Sequence, residues 1–224
     1  MILLQFRMIL SVFISSDYLY LCIKSEKHMF TGIIETLGKV KDIVKEDTNI
    51  HLYIESQISN ELKIDQSVAH NGVCLTVVGI EENLHQVTAI DETLQKTNLQ
   101  DLKIGDVMNI ERCTQANGRF DGHIVQGHVD QVATCINKQD QDGSFVFTFQ
   151  YDPKLQNITV EKGSITVNGI SLTVVNSKID QFSVAIIPYT IEHTNLKNVE
   201  VGTKVNLEFD IIGKYVSKIM ALRG

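Results

Sequence analysis

An all-β fold of two tandem modules, each a small barrel or sandwich of about six strands, is what this sequence predicts, with one amphipathic helix at the C-terminal end. Three observations predict it. An eight-residue phrase occurs twice, as Asn71-Gly72-Val73-Cys74-Leu75-Thr76-Val77-Val78 and as Asn168-Gly169-Ile170-Ser171-Leu172-Thr173-Val174-Val175, identical at six of eight positions at an offset of 97. The offset extends beyond the phrase: Thr97-Asn98-Leu99 recurs as Thr194-Asn195-Leu196, Gly105 as Gly202, Asn109 as Asn206 and Glu111 as Glu208. Self-similarity at a fixed period is the mark of a repeated structural unit. Third, short Val-, Ile- and Thr-rich segments alternate with turn residues throughout both copies, which is strand patterning.

In the first module the predicted strands are 32–44, 50–56, 68–70, 73–80, 86–90 and 107–112, and in the second 124–136, 145–151, 164–167, 170–175, 182–187 and 204–209. Glu92 to Leu99 breaks the alternation and predicts a short helix or turn, and Pro188 punctuates the equivalent place in the second copy. Gly32-Ile33-Ile34-Glu35 echoes in Gly127-His128-Val129-Asp130 at an offset of 95, so the intervening loops differ by two residues, a tolerance normal for surface loops. Ile212, Tyr215, Val216, Ile219 and Leu222 fall at helical spacing. That helix either packs on its own barrel or joins subunits. The expected division is residues 29–122 for the first module, 123–211 for the second and 212–224 for the helix.

Residues 1–28 stand outside both repeats. A membrane span there would carry Arg7 and Asp17, which is costly in a bilayer. A signal peptide would need a basic start and a small-residue cleavage site that the segment lacks. The expectation is an extension upstream of a start at Met29. The chain is 43% hydrophobic and 21% charged, which argues for a globular protein with a buried core. A formal charge of -7, with no basic face among its 20 Lys and Arg residues, argues against nucleic acid. A small neutral or weakly charged ligand fits better. Cys22, Cys74, Cys113 and Cys135 show no C-x-x-C spacing, so thiols in a reducing compartment, the cytoplasm, are expected. No phosphate-binding loop, dinucleotide fingerprint or metal-ligand cluster is present, and no cofactor is expected.

The repeated phrase also carries chemistry. Asn-Gly turns the chain into the next strand, after which side chains alternate between faces. Val73, Leu75 and Val77 share one face, and Cys74, Thr76 and Val78 the other, matched by Ser171, Thr173 and Val175. A core needs only apolar residues, yet both copies set small polar or nucleophilic groups side by side. One copy alone could be a half-exposed strand whose hydroxyls meet water; recurrence points to a ligand pocket. His123 and His128, five apart around Gly127, suit proton transfer or ligand hydrogen bonding rather than a joint metal site. Lys162 has no basic counterpart, since Asp65 aligns with it. Two like pockets suit either a protein that binds two like ligands or an enzyme that reacts two like molecules.

Four stretches, 29–35, 68–77, 122–130 and 168–174, resemble the α-chain type of riboflavin synthase, in the same order and over Met29 to about Met220. The resemblance implies two six-stranded Greek-key barrels followed by the C-terminal helix, a homotrimer, and association with lumazine synthase. The implied reaction is dismutation of two 6,7-dimethyl-8-ribityllumazine molecules, by transfer of a four-carbon unit, to riboflavin and 5-amino-6-(ribitylamino)uracil. By motif match the lumazine-binding positions of the first barrel are Gly32, Ile33 and Ile34, then Cys74, Leu75 and Thr76, then Thr88, Ala89, Ile90, Asp91, Glu92 and Thr93. Those of the second are Gly127, His128 and Val129, then Lys162, then Ser171, Leu172 and Thr173, then Ala185, Ile186, Ile187, Pro188, Tyr189 and Thr190. Phe30, Ser67, Cys74, His128, Ser171, Thr173 and Asp210 match positions tied to catalysis or substrate positioning. The chain departs from the family pattern at Tyr189, often a carboxylate, and at Asp121, commonly glycine. A non-catalytic lumazine- or flavin-binding protein of the same fold is the alternative, and a purely structural barrel repeat is a third.

Overall fold

The alternation of apolar and turn residues becomes two closed antiparallel barrels in the structure, a computed structural model that describes residues 29–115 and 117–223. The expected extension, 1–28, lies outside the described residues. The first barrel comprises β1 (Thr36–Glu46), β2 (Asn49–Ser56), β3 (Ser67–His70), β4 (Val73–Glu81), β5 (Leu84–Ala89) and β6 (Val107–Arg112), closing in the order β1-β2-β5-β4-β3-β6. The second comprises β7 (Gln131–Asp140), β8 (Phe145–Gln150), β9 (Ser164–Val167), β10 (Ile170–Val175), β11 (Gln181–Ile186) and β12 (Lys204–Phe209). Read round from β7, its order is β7-β8-β11-β10-β9-β12, the same Greek-key path. Closure leaves neither sheet with an edge to aggregate.

Short helices α1 (Asp91–Lys96) and α2 (Pro188–His193) follow β5 and β11, each running into a 3-10 turn capped by a threonine, Thr97 Oγ1 accepting from Leu99 N and Thr194 Oγ1 from Leu196 N. Pro188 opens α2, where its missing N–H costs nothing. Helix α3 (Ile211–Ala221) buries no residue on either barrel. Asp210 caps it by accepting from Ile212 N at 2.9 Å, and Lys214 pairs with Asp130 at 2.6 Å. The strands expected from 32 and from 124 begin later, at Thr36 and Gln131: segments 32–35 and 124–130 join no sheet and bend at Gly32 and Gly127, whose φ is 78° and 77°.

The two barrels meet about a local two-fold axis, and the contact is made of asparagines. Asn71 and Asn168 occupy the left-handed turn positions of the repeated Asn-Gly hairpins, with φ of 47° and 46°. Asn71 Oδ1 accepts from Asn109 N at 2.8 Å, and Asn168 Oδ1 from Asn206 N at 2.8 Å. Across the axis Asn109 Nδ2 donates to Asn168 O and Asn206 Nδ2 to Asn71 O, both at 2.9 Å. Asn195 N donates to Asn109 Oδ1 and Asn98 N to Asn206 Oδ1, both at 2.7 Å. The side chains of Asn109 and Asn206 thus find both donor and acceptor partners in the other barrel, as buried polar groups require, while Asn98 Oδ1 is buried without a hydrogen-bond partner among the described residues.

The barrel interiors differ in kind. Phe147, Phe149, Phe182, Tyr151 and Phe209 build an aromatic core in the second barrel. Aliphatic side chains fill the first, together with a fully buried pair, His70 and His85. These occupy the places that Val167 and Phe182 hold in the second copy. A single relay satisfies both rings: His70 Nδ1 to Val68 O at 3.0 Å, His70 Nε2 to His85 Nε2 at 2.8 Å, and His85 Nδ1 to Ser59 Oγ at 2.8 Å. Ser59 Oγ in turn meets Ser56 Oγ at 2.9 Å. Only one proton fits between the two Nε2 atoms. Burial, with the facing His85, holds His70 well below the ordinary histidine value, and burial lowers His85 to about 4.

A depressed histidine binds fewer protons folded than unfolded. The contribution is therefore complete above the unfolded value of 6.5 and is lost as pH falls from there toward about 4. The double variant His70→Val with His85→Phe, which copies the second barrel, is expected to flatten the fall in denaturation midpoint across that window. Each proton accounts for a slope of up to about 1.4 kcal/mol per pH unit. Urea unfolding at a series of pH values checks this, and an unchanged slope would place the acid sensitivity elsewhere.

Candidate functional site

Alternation along β6 and β12, continued one residue past the end of each strand, turns three residues away from each barrel core. In the first they are Asn109, Glu111 and Cys113; in the second, Asn206, Glu208 and Asp210. The asparagines join the barrels, as described. Glu111, 5% exposed, accepts from Thr31 N at 2.7 Å and from Gly32 N at 3.1 Å, and takes Thr31 Oγ1 at 3.1 Å. Glu208, 3% exposed, accepts from Gln126 N at 2.7 Å and His128 N at 2.9 Å. Both carboxylates hold the backbone of a segment entering its own module. Burial pushes each up to about 7, against the lowering pull of these N–H donors.

Those entering segments are arms that reach the opposite barrel. Gly32 O accepts from Ser171 N at 2.8 Å, and Gly127 O accepts from Cys74 N at 2.9 Å. Ile34 packs against the second core and Val129 against the first. Between the arms, Phe30 and Val125 exchange backbone hydrogen bonds at 2.8 and 3.1 Å on the local axis. The grouping expected from sequence is corrected here. Gly32, Ile33 and Ile34 stand with the second barrel's Ser171, and Gly127, His128 and Val129 with the first barrel's Cys74. The physical reason is the pairing of the arms with each other, which crosses them over the axis; sequence proximity cannot register that.

On the second barrel's face, Ser171 Oγ lies 2.6 Å from His123 Nδ1, whose Nε2 lies 3.1 Å from Thr166 Oγ1. Burial lowers His123 while the charge of Asp210 opposes it, so the ring is a neutral imidazole at neutral pH. Its Nδ1 can take the Ser171 proton if Nε2 carries the hydrogen toward Thr166. The arm supports this contact, since His123 N donates to Thr31 O at 3.1 Å. Thr173 is exposed on the same face, and Lys162 is exposed in a left-handed turn at φ 63°. Its copy Asp65 has φ 68°, so the turn recurs while the charge does not.

On the first barrel's face, Cys74 is half-buried and Thr76 exposed. Burial raises the Cys74 thiol above its ordinary value, a hydrogen bond with Ser67 pulls it down, and Glu208 adds to the rise. At neutral pH it is a protonated thiol, suited to shaping the pocket rather than to nucleophilic attack. Ser67 is buried and its carbonyl accepts from Cys113 Sγ at 3.2 Å. Phe30, fully buried, packs with Ala69 and Val125 beside Cys74 and Cys113.

The remaining predicted positions divide between core and rim. Leu75, Ala89 and Ile186 are buried in the barrel cores, with Leu172 partly buried against the second. Thr88 Oγ1 meets His51 Nδ1 at 2.9 Å. Ile90, Asp91, Glu92, Ala185, Ile187, Pro188 and Tyr189 are exposed, and Thr93 and Thr190 partly so. Glu92 pairs with Lys96 at 2.7 Å, whereas Tyr189 stacks on His193 at 4.1 Å between ring centres. Sequence reasoning missed His123 as a contact of Ser171, and it missed Glu111 and Glu208. The signal for the carboxylates was present, a glutamate repeated at the 97-residue offset inside an apolar strand. Asp121, at the departure from the family pattern, is exposed.

Among the described residues, no group of three or more His, Cys, Asp or Glu side chains could hold a metal, and no helix is long and apolar enough to cross a membrane.

Two Greek-key barrels with matching polar strand faces and exchanged arms define a class, the proteins built of two lumazine-binding domains. The family model described as Lumazine binding domain matches twice, at residues 31–113 and 126–210. Riboflavin synthase of Actinobacillus pleuropneumoniae is 42% identical over 193 residues, covering 86% of this chain and 90% of that protein. Riboflavin synthases of Bacillus subtilis (strain 168), at 39%, and of Schizosaccharomyces pombe, at 38%, cover 86% of this chain and 90% and 94% of theirs. The chain belongs to the riboflavin synthase family. The same fold occurs in LumP complexed with 6,7-dimethyl-8-(1'-D-ribityl)lumazine, with TM-score 0.73 and 23% identity over 80% of this chain and 98% of that one.

The arm contact is tight enough to test. Gly127 has φ of +77°, and a Cβ there would lie 2.6 Å from Cys74 Cβ. Gly127→Ala is expected to push the arm off β4, lowering turnover by about 100-fold, as misplacement by roughly 1 Å can do. Steady-state riboflavin formation checks it, and near wild-type turnover would mean the arm does not set the pocket.

Proposed function

We propose that this chain is a riboflavin synthase, dismuting two molecules of 6,7-dimethyl-8-ribityllumazine by four-carbon transfer into riboflavin and 5-amino-6-(ribitylamino)uracil. The observation that carries this is the doubled face, Cys74 with Thr76 and Ser171 with Thr173, each closed by an arm. Two identical substrates need two similar pockets, and the duplicated barrel supplies them. The products together contain the atoms of two substrates, so no oxidant or reductant is required.

The substrate's C7 methyl is acidic because its carbanion delocalises into the ring, so a mild base suffices. In this reading His128 moves that proton, Ser171 and Thr173 hold one ring beside His123, and Cys74, Ser67 and Phe30 shape the seat of the other. Asp210 sits at the second face through its cap on α3, and Lys162 stands at the pocket's outer turn. The main contribution is proximity: holding two rings in reactive register supplies about 7 to 11 kcal/mol of barrier lowering.

The assembly is a homotrimer in which the first barrel of one subunit faces the second barrel of another. Two observations support it. Thr76, Thr173, His128 and Ile187 are exposed in the isolated chain, so water exclusion needs a further surface. Helix α3 presents Ile212, Tyr215, Val216 and Ile219 to solvent, which favours its use between subunits. The same reading includes a cytoplasmic location, suited to the thiols Cys74 and Cys135, and association with lumazine synthase, which makes the substrate.

A binding protein is the second reading, favoured by likeness to LumP complexed with riboflavin, at TM-score 0.74 and 25% identity. Incubation with the lumazine separates the two. An enzyme yields riboflavin, whereas a binder shows stable lumazine fluorescence and no flavin. His128→Gln is expected to lower kcat by about 100-fold to 10,000-fold, the usual worth of a general acid–base group. Unchanged turnover in both His128→Gln and Ser171→Ala would sink these assignments.

A further inference from the structure

We propose that Glu111 and Glu208 are crosswise positioning residues: each belongs to one barrel and sets the pocket strand of the other. This rests on the reading of the two faces as substrate pockets. The path is short and made of hydrogen bonds. Glu111 on β6 takes Thr31 N at 2.7 Å and Gly32 N at 3.1 Å; Gly32 O then accepts Ser171 N at 2.8 Å, and Thr31 O accepts His123 N at 3.1 Å. A first-barrel carboxylate thereby fixes both partners of the Ser171–His123 contact at 2.6 Å. Glu208 on β12 takes Gln126 N at 2.7 Å and His128 N at 2.9 Å, and the Gly127 carbonyl between them accepts Cys74 N at 2.9 Å. The second barrel therefore places the first barrel's Cys74 and the backbone of His128.

The chemistry suits clamping. A glutamate side chain offers two acceptor oxygens to neighbouring N–H donors of one short segment, Thr31 and Gly32 on Glu111, Gln126 and His128 on Glu208. Neither arm joins a sheet. Its base is tied to its own barrel, Glu35 N donating to Ile110 O at 3.0 Å and Asp130 N to Leu207 O at 2.8 Å, and beyond that base the carboxylates are what its own barrel offers at Thr31, Gly32, Gln126 and His128. With a glutamine in place of the glutamate, one acceptor oxygen becomes an NH2 group that faces an N–H, and that end of the arm loses its partner. The carboxylates bond the backbone N–H groups of the arms, with the Thr31 hydroxyl added on Glu111, so their effect on the reaction passes through the arms.

Hydrogen exchange by mass spectrometry on the full chain, beside steady-state kinetics, tests this with Glu111→Gln and Glu208→Gln. In Glu208→Gln the Cys74 amide is expected to exchange at least about 10-fold faster while the Ser171 amide is unchanged, and in Glu111→Gln the reverse. Both variants should lose about 100-fold in kcat/KM. A variant that fails to fold would speed exchange at both amides and across both cores, so Glu111→Asp and Glu208→Asp, which keep the carboxylate, are run beside the glutamines and should restore part of the protection. Faster exchange confined to the variant's own barrel, equal change at both amides in a folded protein, or full activity despite lost protection overturns the proposal. Absence of riboflavin formation by the unmodified chain defeats the functional reading instead, and the exchange pattern stands apart from it.

Discussion

The pairing of buried polar groups across the local two-fold axis is what the architecture depends on. Asn109 and Asn206 through their side chains, Asn98 and Asn195 through their backbone N–H groups, and Asn71 and Asn168 through their carbonyls each bond to the other barrel. Each such hydrogen bond is worth a net ~0.5–1.5 kcal/mol against water, so separating the barrels would forfeit several such terms together. The two modules therefore stabilise each other, although each has its own core. Because the clasp lies on the same faces of β6 and β12 as the glutamates, it also fixes where the arms enter. Relative orientation of the barrels, arm path and pocket geometry are consequences of one strand pattern, Asn-x-Glu, used twice.

Duplication set the scaffold, and the chemistry diverged at the ends of that pattern. Two residues beyond the glutamates stand Cys113 in one copy and Asp210 in the other. Cys74 faces Ser171, Ala69 faces Thr166, and Asp65 faces Lys162 in the same comparison. The outcome is a thiol-lined first face and a second face with a hydroxyl, a neutral imidazole and a nearby carboxylate. The first core also tolerates two imidazoles where the second has Val167 and Phe182, because every ring nitrogen there has a partner. Backbone geometry was retained more strictly than side-chain chemistry, as the matching φ values of Asp65 and Lys162 show.

Most of the barrel was legible in the sequence, and the arms were not. Repetition of Asn71 to Val78 identified the modules, and period-2 alternation placed strands such as Val107–Arg112 and Ile170–Val175 at their observed bounds. The apolar character of residues 32–35 and 124–130 also suggested strands, but their backbone groups bond to carboxylates and to the opposite barrel. No local pattern encodes such partners. That Cys74, Thr76, Ser171 and Thr173 face away from the cores was readable because a polar side chain recurring on one strand face violates core patterning twice. Glu111 and Glu208 violate it equally, yet a glutamate in a strand reads as an outward, solvated residue until the structure shows both nearly covered. His123 was visible as a histidine, but its partner Ser171 is 48 residues away and in register only through the arm.

Crossing of the arms explains why the two histidines of one short stretch serve different places. His123 precedes the Phe30–Val125 pairing on the axis and His128 follows it. The first therefore stays beside Ser171, whereas the second is carried with Gly127 to the Cys74 side. A chain that ran straight into its own barrel would deliver both histidines to one face. Exchange at a single bridge distributes them instead, one to each face. The duplicated fold thus carries two differently equipped faces without needing a second histidine-bearing stretch, and neither face can be built by its own barrel alone.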